Sequence, residues 1–132
     1  MKVIIAGSRG LKDYKTVEEA VKKSGFEVTE IVSGGARGAD ILGEKYASEN
    51  NLPVKIFKPD WDYIDVPKYK IKKNKFGKLY NVGAGFERNE EMAKYADALI
   101  AIWDGKSNGT KHMIKCMSKK GGKVFVENYN GS

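Results

Sequence analysis

Three short segments of this chain carry residues whose types and spacing suit the binding of a phosphate. The first is Ser33-Gly34-Gly35-Ala36-Arg37-Gly38-Ala39-Asp40, which follows a β-branched run from Val28 to Val32 and opens an amphipathic stretch near Ala39. Small residues at a strand-to-helix turn let an anion approach backbone N–H groups, and the helix that follows adds its positive N-terminal dipole. The second is Gly7-Ser8-Arg9, which ends the apolar run Lys2 to Ala6. The third runs from Trp103-Asp104-Gly105 through Lys106 and Ser107 to Asn108-Gly109-Thr110, and follows Ala98 to Ile102.

Arg9 and Arg37 are the expected phosphate ligands, because a guanidinium presents a rigid fork of charged donors. The chain has three arginines against twenty-one lysines, and Arg9, Arg37 and Arg88 all fall at expected loop positions or edges. Gly7, Ser8, Ser33, Gly34, Gly35, Ala36, Gly38, Gly105, Ser107, Gly109 and Thr110 are expected to line the site with backbone and hydroxyl groups. Asp40 reads either as a ligand contact or as a helix cap. Asp60 and Asp104 are suited to ribose hydroxyls, a metal or simply a turn. Trp61 and Trp103 are rings that can stack on a base, although Trp103 also ends a core strand. His112 stands in the first turn of a helix beginning at the site, where it is either an acid–base group or structural.

The elements that must position these segments follow from periodicity. Apolar strands at Lys2–Ala6, Val28–Val32, Val54–Phe57, Ala98–Trp103 and Lys123–Glu127 alternate with helical patterns. The first helix is expected to be capped by Thr16 and closed by Gly25, with Glu18-Glu19 in its first turn. Asn50-Asn51 and Pro53 should end the second helix, and further helices should run from about Glu87 to Tyr95 and on to Lys120. Asn128 to Ser132 reads as a tail. This order argues an α/β fold: a Rossmann-like three-layer α/β/α sandwich with a mostly parallel five-stranded sheet. In such sheets ligands bind beyond the strand C-termini, where strand order reverses. The loops after the first, second and fourth of these strands should meet there.

At 132 residues the chain is expected to be one domain, residues 1–132, with a lysine-rich insertion at about 62–86. Six of the seven net positive charges are matched by Lys68, Lys70, Lys72, Lys73, Lys75 and Lys78, in a stretch without an acid. With Tyr69, Phe76 and Tyr80 interleaved, Lys68 to Tyr80 reads as a single-stranded nucleic-acid contact or as a solvated loop. No run has transmembrane length, so no membrane partner is expected and the chain reads as cytoplasmic. Cys116, the one cysteine, reads as a small buried hydrophobe. With one cysteine and one histidine, a Cys/His zinc site within one chain is excluded, and neither metal nor cofactor is expected.

With Gly7-Ser8-Arg9, residues 33–40 and Trp103-Asp104-Gly105 through Gly109-Thr110 in place, the chain resembles the SLOG superfamily of Rossmann-like proteins, and within it the small YspA/YpsA-related group. That resemblance implies binding of a nucleotide or nucleotide-derived ligand at the three loops, for sensing or sequestration, and self-association into a homo-oligomer. Glu87-Arg88-Asn89 through Met92-Ala93 and Ala96-Asp97-Ala98 to Ile102 are similar to the core of the related cytokinin-activating phosphoribohydrolases. This likeness places Arg88 on a catalytic arginine and Asn89 at the site. It leaves Met113 where those enzymes carry a glutamate, and a methionine can neither accept a proton nor hydrogen-bond a ribose strongly. The alternative that follows is N-glycosidic hydrolysis of a nucleoside monophosphate by Arg88, with Asp104 or His112 in the glutamate's place. The Gly-Ser-Arg and Ser-Gly-x-Ala-x-Gly-x-Asp loops are also similar to those of a DNA-processing protein, which implies single-stranded DNA as a further alternative.

Overall fold

The computed structural model describes residues 1–60, 71–81 and 83–129. Lys2–Gly7 forms strand β1, Tyr14–Ser24 helix α1, Glu30–Ser33 β2, Ala39–Glu49 α2 and Val54–Ile56 β3. Ile71–Lys73 (β4) and Leu79–Asn81 (β5) form a separate antiparallel hairpin. Ala84–Tyr95 is α3, Ala98–Trp103 β6, Asn108–Lys120 α4 and Lys123–Asn128 β7. The main sheet has five strands in the order β3-β2-β1-β6-β7, every neighbouring pair parallel. The mostly parallel α/β sandwich expected from the sequence is therefore the fold.

β1 and β6 occupy the centre because their side chains are apolar on both faces. In register, Val3, Ile5, Ala98, Ile100 and Ile102 turn to one side, where they pack with Val17, Ala20 and Val21 of α1 and Ala39 and Ala47 of α2. Ile4, Leu99, Ala101 and Val32 turn to the other, against Met92 and Ala93 of α3 and Met113 and Met117 of α4. A two-sided apolar strand cannot be satisfied by helices on one face alone, so this patterning requires the three layers. Burying one such large aliphatic side chain contributes roughly 1.5–3 kcal/mol. From β3 the chain must cross back over β1 to start β6, so strand order reverses between β1 and β6.

Several boundaries differ from the sequence reading. Asp13, not Thr16, caps α1: its carboxylate accepts from the Lys15 N–H at 3.0 Å, and Thr16 already lies inside the first turn. The earlier acid wins because it reaches the second helical N–H while its own backbone stays extended. α3 starts three residues before Glu87, so Ala84 to Phe86 belong to the helix rather than to the insertion. Asn128 is the last residue of β7, and the Tyr129 N–H donates to the Trp103 carbonyl at 2.8 Å, so the tail begins later than expected. Gly109 and Thr110 sit in the first turn of α4, not in the loop before it.

Candidate functional site

The loops after β1, β2 and β6 converge at the strand reversal, and they are locked to one another by backbone contacts. The Ser8 N–H donates to the Ile102 carbonyl at 3.0 Å, joining the first loop to β6. The Ala39 N–H donates to the Ser8 carbonyl at 3.1 Å, joining it to the start of α2. Gly38 makes that second approach possible. Its φ is +78°, and a Cβ there would lie 2.2 Å from the Ser8 carbonyl oxygen and 2.6 Å from the carbonyl carbon of Arg9. The glycine is required by loop-on-loop packing, a reason the sequence motif alone does not reveal.

Between the loops lies a cleft of about 320 Å3. Gly7, Ser8, Arg9, Ala36, Asp40, Arg88, Asn89, Asp104, Ser107, Gly109 and Thr110, all singled out from sequence, line it. Ala6, Gly10, Met92 and Met113 complete the lining; the two methionines are buried and supply an apolar floor. A second hollow of about 390 Å3 shares Arg9, Ala36 and Arg88 with the first and adds Gly34, Gly35, Arg37, Lys58 and Pro59. Arg37 thus stands on the second hollow rather than in the cleft, and Lys58 is a neighbour that no motif pointed to.

The backbone donors of residues 34–36 are directed inward. The N–H groups of Gly34 and Ala36 bond to the Asp40 carboxylate, the latter at 3.2 Å, and the Gly35 N–H bonds to Ser33 Oγ at 3.1 Å. Ser33 is fully buried and donates its hydroxyl to Glu44 at 2.7 Å. This turn therefore cradles a carboxylate of its own chain, and Ser33 holds the loop rather than facing the cleft. Asp40 is no cap of α2 either, because it reaches back to the loop and Gly38, the residue at the cap position, offers no side chain.

Arg88 braces the same loop from α3. Its guanidinium donates to the Gly34 carbonyl at 2.6 Å and to Asn89 Oδ1 at 3.2 Å. A Cβ on Gly34 would meet the Arg88 guanidinium at 2.6 Å and the Asp40 carboxylate at 2.8 Å, so glycine leaves room for both charges. Burial pushes the Asp40 pKa from 3.8 up to about 6, against the pull of the Ala36 N–H and the Arg88 charge, and Glu44 pushes it further up. Burial also holds Arg88 below its usual value, while Asp40 counters that effect. The charges of this pair lie deep enough for desolvation to outweigh their attraction.

The third wall is the start of α4, which has no side-chain cap and so leaves its first N–H groups to the cleft. Asp104 Oδ1 accepts from the N–H groups of Lys106 and Ser107, both at 2.8 Å, and these bonds hold its carboxyl below the usual range. Asp104 is thus the turn residue that sets the entry into α4, as well as a cleft residue. Trp103 is half-buried at the end of β6, donating its indole N–H to the Ser107 carbonyl at 3.1 Å, and it lines neither hollow. Asp60 and Gly105 are exposed and line neither. Trp61 lies outside the described residues.

His112 faces away from the cleft. It lines a separate groove between α3 and α4 with Cys116, Lys115 and Lys119, and its ring sits 4.5 Å from that of Phe86. The Asn89 amide touches it at 3.2 Å, so Asn89 stands between the histidine and the cleft. Burial lowers the His112 pKa and raises that of Cys116, whose sulfur lies 3.6 Å from His112 Nε2. Cys116 is half-buried rather than buried. Among the described residues no cluster of histidine, cysteine and carboxylate groups could hold a metal ion. No helix among them is long and apolar enough to cross a membrane.

Part of the lysine-rich stretch is an ordered hairpin. Asn74 Oδ1 accepts from the N–H groups of Phe76 and Lys78 and closes the turn between β4 and β5. Phe76 stands at the tip, 82% exposed, with the Lys75 ammonium 5.1 Å from its ring. Lys68, Tyr69 and Lys70 lie outside the described residues.

Comparison with known proteins places this geometry in a family. A profile described as the YspA, cpYpsA-related SLOG family matches residues 1–63, which hold the first two loops. The Gene 61 protein of Mycobacterium phage D29 is 30% identical over 130 residues, an alignment that covers 91% of this chain and 90% of that protein. The chain belongs to the YspA, cpYpsA-related SLOG family. Its fold is similar to that of DNA processing protein A (DprA) from Streptococcus pneumoniae, with a TM-score of 0.66 at 24% identity over 95% of this chain and 49% of that one. DNA processing protein A from Helicobacter pylori, whose structure is titled for its single-stranded DNA binding mode, gives a TM-score of 0.61 at 26% identity over 96% and 64%. The chain spans about half of the first protein and under two thirds of the second.

Proposed function

We propose that this SLOG-family protein binds a nucleotide or nucleotide-derived ligand in the 320 Å3 cleft, for sensing or sequestration. The observation that carries the reading is the convergence of Arg9 and the uncapped start of α4 on one cleft with an apolar methionine floor. A phosphate is met by the Arg9 guanidinium and by the N–H groups of Gly109 and Thr110. The neutral base or sugar lies over Met92 and Met113, where a second negative charge would be repelled by ionised Asp40. The test is thermal denaturation against a panel of nucleoside mono- and diphosphates. A binding member at a hundred times its dissociation constant stabilises the fold by about 2.7 kcal/mol. Arg9→Ala, at an exposed position, should abolish the shift without lowering the unliganded midpoint. A folded protein that no member stabilises refutes the reading.

A second reading, contact with single-stranded DNA, is favoured by the hairpin, where an exposed Phe76 stands among Lys72, Lys73 and Lys75. Stacking on such a ring contributes roughly 1–3 kcal/mol per base, and phosphate contacts make affinity fall steeply with salt. If this reading holds, Phe76→Ala weakens binding of an oligothymidylate without altering the nucleotide-induced thermal shift.

A further inference from the structure

We infer that the hollow beside the cleft is a second anion site, and that the ligand class is a dinucleotide with two separate phosphate groups rather than a mononucleotide. This rests on the binding reading above and extends it. The two hollows share Arg9, Ala36 and Arg88, so a single ligand passing Arg9 occupies both. Their chemistry differs. The cleft holds the buried Asp40 carboxylate and the methionine floor, which suit the neutral part of a ligand. Among the described residues the second hollow is lined by no acid: Arg37 and Lys58 are added to Arg9 and Arg88, and the rest of its lining is glycine, alanine and proline.

Not all four cations are equally available to an anion. Arg88 spends its fork on the Gly34 carbonyl and Asn89, and the nearby N–H groups are already taken by Asp40 and Ser33. Arg9, Arg37 and Lys58 are exposed side chains turned to the same hollow. Three cations there, with no carboxylate among the described residues that line the hollow, favour a second phosphate. A mononucleotide held by Arg9 at the α4 start leaves Arg37 and Lys58 unused.

The probes are the four ribonucleoside 5′-monophosphates, the corresponding 5′-phosphorylated homodinucleotides, and the same dinucleotides without the terminal phosphate. Isothermal titration reads the affinity ratio of each dinucleotide to its mononucleotide. The phosphorylated dinucleotide should bind about tenfold tighter or better for at least one base, as a charge-assisted contact predicts. Removing its terminal phosphate should remove that gain. In the Arg37→Ala/Lys58→Ala variant the ratio should fall to about one, and since both positions are exposed its melting midpoint should stay at the wild-type value. A ratio near one in wild type, a gain that survives loss of the terminal phosphate, or a gain that survives in the variant each overturns the second site. An octathymidylate that binds more than about tenfold tighter than every dinucleotide assigns the surface to a strand and overturns the dinucleotide class. If mononucleotides bind and dinucleotides bind no better, this inference alone falls. If neither binds, the cleft reading falls with it.

Discussion

Replacing Asp40 by asparagine removes one titrating group from the interior, and the size of the effect follows from its surroundings. Its pKa is 3.8 in the unfolded chain and about 6 in the fold, mainly because burial disfavours the charged form. Between those values the folded protein binds the extra proton, so stability falls as pH rises from about 4 to about 6.5. A rise from 3.8 to about 6, at 1.36 kcal/mol for each tenfold change in proton affinity, gives about 3 kcal/mol of stability that is present at the acid end and lost by neutrality. Asparagine keeps an oxygen for the Ala36 N–H but carries no titrating proton, so its curve lacks this slope. Urea denaturation of both proteins from pH 4 to 8 isolates the group, because every other carboxylate is common to both. The variant should gain about 2 kcal/mol relative to wild type on going from pH 4 to pH 7, because the unfolded carboxyl is already partly ionised at pH 4. Parallel curves would mean that Asp40 is ionised in the fold as easily as in water, and would sink the account of the buried Asp40–Arg88 pair.

Two further outcomes follow. Gly38→Ala forces a methyl group to within 2.2 Å of the Ser8 carbonyl oxygen at a φ of +78°, so the first two loops must separate. A loss of roughly 3 kcal/mol or more in chemical denaturation is expected, together with loss of any nucleotide-induced thermal shift; an alanine variant as stable as wild type would show that the loops are not locked there. Incubation with nucleoside monophosphates should release no free base by chromatography, because His112 points away from the cleft, Asp104 is held ionised by two backbone N–H groups, and Met113 supplies no carboxylate. Base release that Arg88→Ala abolishes would instead establish the glycosidic alternative.

Most of the fold was legible because its signals are local and repeated. A strand such as Ala98–Trp103, apolar at every position, specifies burial on both faces, and the alternation of such strands with helices specifies the layers. Element ends were less legible where two residues compete for one role. Asp13 and Thr16 are both good caps, and only the path of the chain decides which of them meets a free N–H. Tyr129 reads as tail in the sequence because its partner, the Trp103 carbonyl, belongs to a strand twenty-six residues earlier in the chain. Many residues of the cleft were legible as a set, since the segments that carry them follow β1, β2 and β6 and a parallel sheet brings those strand ends together, while Arg88 and Asn89 reach the cleft from α3. Their directions were not. Periodicity puts His112 in the first turn of a helix that begins at the site, but a helix turns 100° per residue, and that residue faces α3 instead.

Residues 33–40 carry the sharpest difference. A glycine turn with an arginine before a helix reads as an anion cradle, and the turn does cradle an anion, but the anion is Asp40. The motif's own acid, seven residues past Ser33, occupies the N–H groups that a phosphate would otherwise take. Arg88 then reaches across from α3 to the Gly34 carbonyl and partly offsets the buried charge. This internal arrangement fixes the loop before any ligand arrives, which lowers the ordering cost of binding. With the cradle filled, the proposed ligand contacts lie outside it, at the α4 start on one side and at Arg9, Arg37 and Lys58 on the other. In the proposed binding mode a ligand that engages both sides crosses Arg9, so the arginine of the short first loop, rather than the longer glycine motif, would couple occupancy of the two hollows.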